Sequence, residues 1–177
     1  MRLTLTVEIP TDAHAAARLL ADPEFVRETV RASGATGEQV DVTGSPDAAF
    51  TVTSRRALPA DQIPAHLRGF VGSTIDVRQV DAWEAPGADG SRLGTVVVEI
   101  AGAPVRLTGR TTLAPAGPAG STATYDGDLK AAIPLFGSAV EQAAAGAIRS
   151  AVAVTADVAR RRLAERGRTG DGKDTAP

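Results

Sequence analysis

The sequence predicts one α+β domain, an antiparallel sheet of about seven strands packed against a single long C-terminal helix. Three observations predict it. Apolar and polar residues alternate at period two in seven separate runs. Two short helical stretches follow the first run, and the pattern switches to helical period near the end. A chain of 177 residues with 43% apolar content has material for one core of ordinary size.

Leu3, Leu5, Val7 and Ile9 alternate with Thr4, Thr6 and Glu8, the pattern of a strand with one buried face. Pro10 stops it. Thr11 or Asp12 is placed to cap a first helix through Leu19 and Leu20, and Asp22-Pro23 supplies a cap and a first helical proline for a second. That second helix carries Phe25, Val26 and Val30 and should stop at Gly34. Residues 39–43 and 49–57 are rich in β-branched side chains and flank Gly44-Ser45-Pro46-Asp47, which reads as a hairpin. Residues 58–72, with two prolines and Ile63, Leu67 and Phe70, fit a loop with a short helix, placed to act as a lid or as a packing segment. Four further strands are expected at 73–84, 93–101, 105–114 and 121–133, parted by Gly/Pro-rich turns.

Residues 136–165 read as a helix with Val140, Ala144, Ala147, Ala151, Val154 and Val158 on its packing side and Glu141, Gln142, Arg149, Asp157 and Arg160 opposite. About 30 residues at about 1.5 Å each make about 45 Å, enough to cross the sheet. The domain is thus expected over residues 1–166. Residues 167–177, without a large apolar side chain, are expected to be a disordered tail.

Composition excludes several chemistries. With no cysteine, disulfides, thiolate nucleophiles and sulfur-ligated zinc are ruled out. His14 and His66 stand alone without metal-ligand spacing, so neither metal nor cofactor is implied. A formal charge of −2 and no basic stretch beyond Arg160-Arg161-Arg162 argue against nucleic acid. That arginine run reads as cations near a helix C-terminus. The alternating N-terminus reads as a strand and not as a signal peptide, and Arg149 and Asp157 interrupt the longest Ala/Val-rich stretch. A cytoplasmic chain without stable membrane insertion is expected, of undetermined oligomeric state.

Ala21-Asp22-Pro23-Glu24-Phe25-Val26 after the first strand, Ile133-Pro134-Leu135-Phe136-Gly137 leading into Val140-Glu141, and the order of elements resemble the START-like, polyketide-cyclase-like (SRPBCC) helix-grip superfamily. More narrowly, residues 1 to about 165 resemble an actinobacterial family of that fold known as a domain of unknown function. The resemblance implies a cavity between a curved sheet and the long helix, used by relatives for lipids, polyketides, hormones or partner proteins. These motifs are structural junctions, so they carry fold and not chemistry.

The residues add their own argument. A packing side written in alanine, including Ala143, Ala144, Ala147 and Ala151, leaves two options. Either the sheet closes down on the helix, which Gly94, Gly109 and Gly127 would permit, or a volume of some hundreds of Å³ stays open for a ligand. By alternation Val105, Leu107, Gly109, Thr111 and Leu113 share one face with Tyr125, Gly127, Leu129, Ala131 and Ile133 of the next strand, and these should face the helix. The expected cavity wall is Tyr125, Trp83, Leu107, Leu129, Phe70, Ala144, Ala147 and Ala151. Tyr125 would orient a polar head group or sit as a core tyrosine; Trp83 would line the mouth or plug it. Arg106, Arg110, Asp126 and Asp128 fall on the outer face as a salt-bridge ladder, while the alternation around Glu99 leaves its direction open. His66, within residues 58–72, and His14 read as surface histidines.

Three functional readings follow. The first is a binding protein holding an apolar or amphipathic small molecule, lipid or polyketide-like. The second is a cyclase- or aromatase-like enzyme, which requires inward polar groups such as Tyr125 and Glu99. The third is a protein-interaction module with a closed core and no ligand.

Overall fold

The computed structural model describes residues 1–59 and 74–171. Strand β1 (Arg2–Ile9) buries Leu3, Val7 and Ile9 and leaves Arg2, Thr4, Thr6 and Glu8 exposed, so one face of the sheet is set within the first nine residues. Helix α1 (Ala13–Leu20) begins where the Asp12 carboxylate accepts the Ala15 amide proton at 2.9 Å. Helix α2 (Pro23–Ala32) begins the same way, with Asp22 accepting from the Glu24 amide at 2.9 Å and Pro23 in its first turn. Gly34 follows at φ +87°, the left-handed exit that glycine tolerates best.

The remaining strands are β2 (Gly37–Gly44), β3 (Phe50–Pro59), β4 (Thr74–Trp83), β5 (Arg92–Ile100), β6 (Val105–Pro115) and β7 (Ser121–Ala131). They form one curved antiparallel sheet in the order β1-β7-β6-β5-β4-β3-β2. The first strand therefore lies beside the last, with Leu5 opposite Tyr125, while α1 and α2 carry the chain to the far edge at β2. The seven strands expected from alternation are present, each within a few residues of its expected bounds.

Helix α3 (Gly137–Asp171) follows a turn in which Leu135 takes a left-handed backbone at φ +66°. The Glu141 carboxylate accepts the Ala131 amide at 3.1 Å, tying the first turn of α3 to the end of β7. Farther along, Arg162 pairs with Asp22 (2.8 Å) and Glu28 (2.7 Å), and Arg161 pairs with Glu28 (2.5 Å). The arginine run is thus a clamp between α3 and α2, while Arg160 pairs with Asp157 within the helix. Helix α3 also continues to Asp171, past residue 165 where the helical pattern was expected to end; Arg166 lies 3.7 Å from Asp22 and holds that turn. The rest of the expected tail, 172–177, lies outside the described residues, as does 60–73.

Helix α3 packs on β1, β7 and α2, along one side of the sheet. Its fully buried positions are Ala145, Ala156, Val158 and Ala159. This corrects the expected packing side, because Ala147 is exposed and Ala144 and Ala151 are half-buried. Alanines occur on every face of this helix, so composition did not mark which alanines meet the sheet. The glycines also act differently from expectation. A Cβ on Gly109 would lie 2.4 Å from the Asp126 carbonyl oxygen and one on Gly94 2.4 Å from that of Ala82, so these glycines accommodate neighbouring strands and not the helix.

Candidate functional site

Because α3 leans on β1 and β7, its side chains, Ala145 among them, cover the inner face of β3 to β6 only in part. The space left is a cavity of about 570 Å³ between that face and α3. Leu58, Ile75, Val77, Val98, Ile100, Val105, Leu107 and Leu129 form the sheet wall; Val140, Ala144, Ala147, Ala151 and Val154 form the helix wall. The alanines expected to open this volume do line it, together with Leu107 and Leu129. A void this large needs short side chains on one wall, and alanine supplies them without loss of helix propensity.

Trp83 and Tyr125 line two smaller pockets of about 90 Å³ each and do not line the main cavity. Trp83 is buried and stacks on Phe50, ring centres 6.3 Å apart. Tyr125 borders both small pockets; burial, then the nearby charge of Asp81, push its hydroxyl well above its ordinary pKa, so it stays protonated. Phe70 and His66 lie outside the described residues, as does the segment expected to act as a lid. His14 is exposed. Glu99 points outward and pairs with Arg106 (3.2 Å) and Arg78 (3.5 Å), and Asp126 binds Arg2 beside it on the outer face. Of the expected ladder, Arg106 and Asp126 thus form ion pairs on the outer face, but with Glu99 and Arg2 and not with each other, and Glu99 is no inward carboxylate.

A cluster of inward polar groups comes from β3 and β4 and is not among the expected site residues. Ser54 and Arg56 share the inner face with Phe50 and Val52; Gln79 and Asp81 share it with Val77 and Trp83. Alternation counted from Val77 or Trp83 would have found them. Arg56 donates from both terminal nitrogens to the Gln79 amide oxygen at 3.2 and 3.3 Å, and the Gln79 amide nitrogen donates to Asp81 Oδ2 at 2.8 Å. Asp81 Oδ1 is buried without a hydrogen-bond partner. Burial pushes the Asp81 carboxyl up to about 6, partly offset by the Gln79 hydrogen bond and the Arg56 charge. Arg56 is lowered by burial and supported by Asp81. Arg56 and Ala151 border all three pockets, whereas Gln79 borders the two smaller ones and Asp81 one of them, so it is Arg56 that joins this cluster to the apolar cavity.

A curved seven-stranded antiparallel sheet, two short helices after its first strand and a long C-terminal helix over a cavity define a helix-grip-like α+β fold. Within that class, the chain belongs to the family described as "Protein of unknown function (DUF2505)", which it matches over residues 4–163. The fold is shared with the protein TTHA0849 from Thermus thermophilus, at 14% identity and a TM-score of 0.60, covering 92% of this chain and 99% of that one. A START superfamily protein from Mycobacterium smegmatis matches at 13% identity and a TM-score of 0.54, covering 90% and 97%. The Zhui aromatase/cyclase from Streptomyces sp. R1128 matches at 12% identity and a TM-score of 0.54, covering 92% and 95%. At these identities the likeness is one of fold. A comparison with curated proteins gave no match.

Proposed function

We propose that this protein binds or carries an apolar or amphipathic small molecule, lipid or polyketide-like, in the cavity between the sheet and α3. The observation that carries the reading is the cavity itself: about 570 Å³, walled largely by aliphatic side chains with Arg56 at one border. Volume and lining fall in the range of small-molecule sites, about 300–1,000 Å³ with a few placed polar groups. The interaction-module reading expects a closed core, and a volume of this size left open by the described residues does not support it. Ala151 borders all three pockets, so Ala151→Phe should fill their junction. Titration with an environment-sensitive apolar fluorophore tests this. Saturable binding by the wild type and its loss in a folded Ala151→Phe protein are expected; unsaturable or equal binding by both would overturn the reading.

The enzyme reading keeps one specific support, a buried carboxyl near neutrality at Asp81 beside Arg56 and Tyr125. If the guest recovered from Asp81→Asn differs chemically from that recovered from the wild type, the cavity converts its guest. Identical guests support carriage.

A further inference from the structure

We infer that Arg56 anchors the head group of the guest, and that the guest is an amphipathic monocarboxylic acid whose apolar body fills the cavity and whose carboxyl lies between Arg56 and Asp81. This rests on the binding reading above and names the chemical class it takes.

Three observations converge. First, Arg56 is the one basic residue among the described residues that line the cavity; its polar companions there, such as Ser33, Gln142 and Ser150, are neutral. Second, both terminal nitrogens of Arg56 crowd onto one amide oxygen of Gln79, at 3.2 and 3.3 Å, and Arg56 forms no ion pair with a carboxylate among the described residues. A guanidinium fork is shaped for the two oxygens of a carboxylate and meets them with two parallel charge-assisted hydrogen bonds. Third, Asp81 borders the small pocket that adjoins the cavity at Arg56, and there its Oδ1 is a buried acceptor with no donor among the described residues, while Oδ2 is taken by Gln79. A guest that offers both an acceptor to Arg56 and a proton to Asp81 would complete both groups.

A carboxyl group does this with balanced charge. Arg56 contributes one positive charge, and two carboxyl groups sharing one proton contribute one negative charge, so the completed cluster is neutral. A phosphate dianion would leave a net negative charge in a desolvated site already holding Asp81, which is costly. A simple alcohol would satisfy Asp81 but leave the Arg56 fork on a single amide oxygen. The charged and titratable groups facing Asp81 are Arg56 from β3 and Tyr125 from β7; α2 and α3 present uncharged residues there, including Thr29 and Thr155. Binding at pH 7 and above therefore takes up one proton, held between Asp81 and the guest.

The test compares cis-parinaric acid, a fluorescent polyene fatty acid, with its methyl ester on the wild-type protein at pH 6.5. The acid should bind at least about tenfold more tightly, about 1.4 kcal/mol. Its affinity should weaken by about tenfold per pH unit above about pH 7, as one-proton linkage requires. In Arg56→Met the acid should lose its advantage over the ester; in Asp81→Asn the pH slope should vanish. Equal binding of acid and ester by the wild type would overturn the head-group assignment while leaving the cavity reading intact. No binding of either would overturn both. The wild-type comparison requires no variant, so it stands even if Arg56→Met fails to fold.

Discussion

Replacing Asp81 with asparagine should stabilise the ligand-free protein at neutral pH relative to its behaviour in acid. The Asp81 carboxyl is buried and pushed from its ordinary value of 3.8 up to about 6. Between those two values the folded chain holds a proton that the unfolded chain has released. The contribution of Asp81 to stability is therefore greatest below pH 3.8 and is lost as pH rises through 6. At about 1.36 kcal/mol per pH unit, the full penalty above pH 6 is about 3 kcal/mol. The asparagine amide keeps the shape and an acceptor for Gln79 but never ionises. Its own hydrogen-bond cost is independent of pH and cancels when two pH values are compared. Urea denaturation of both proteins at pH 4 and pH 7.5 should show the variant gaining about 2–3 kcal/mol on the wild type across that interval. A gain near zero would mean that Asp81 titrates as a solvated carboxylate and that the polar cluster is open to water. A loss would mean that the attraction of Arg56 outweighs desolvation.

Other consequences are equally direct. Arg92 is buried, with its guanidinium over the Phe50 ring at 5.3 Å and donating to the carbonyls of Ala48 (2.7 Å), Glu84 (3.0 Å) and Pro46. Arg92→Met should cost about 3 kcal/mol in chemical denaturation, since three carbonyls lose a charged donor; a cost below about 1 kcal/mol would refute the bracing role. Gly109→Ala, whose Cβ would meet backbone at 2.4 and 2.6 Å, should destabilise by about 1–3 kcal/mol, whereas Gly146→Ala, with nothing within 4 Å, should stabilise by about 0.5–1 kcal/mol. Thermal unfolding of the two variants distinguishes a sheet that needs its glycines from a helix that does not. Glu99→Gln should change stability by less than about 1 kcal/mol and leave fluorophore binding unchanged, because its ion pairs are solvent-exposed.

Local sequence carried most of the architecture. Leu3 to Ile9 wrote the buried face of β1 in alternation, Asp12 and Asp22 capped the helices, and Gly34 ended α2, because each of these rules acts within a few residues. The rotation of α3 was not legible in the same way. A helix with Ala143, Ala145, Ala147, Ala153, Ala156 and Ala159 around its circumference has no sharp apolar stripe, so long-range pairs such as Arg162 with Asp22 and Glu28 help decide which side meets the sheet. The cavity was half legible: alanine marked one wall, while its size depended on how α3 leans across the sheet. The polar cluster was readable from alternation in β4, where Gln79 and Asp81 fall in step with Val77 and Trp83. Its meaning was not, since Arg56 joins it only through the β3–β4 register. Arg92 lay further out of reach, because its carbonyl partners at Pro46 and Ala48 come from the turn between β2 and β3.

The central claim is that the cavity holds an apolar guest. Native mass spectrometry of the protein purified from the cells that make it, followed by solvent extraction, tests that claim most directly. The account predicts one stoichiometric passenger with an apolar body, released by extraction and absent from Ala151→Phe. A clean mass of the bare chain, together with no saturable uptake of an apolar fluorophore, would contradict it.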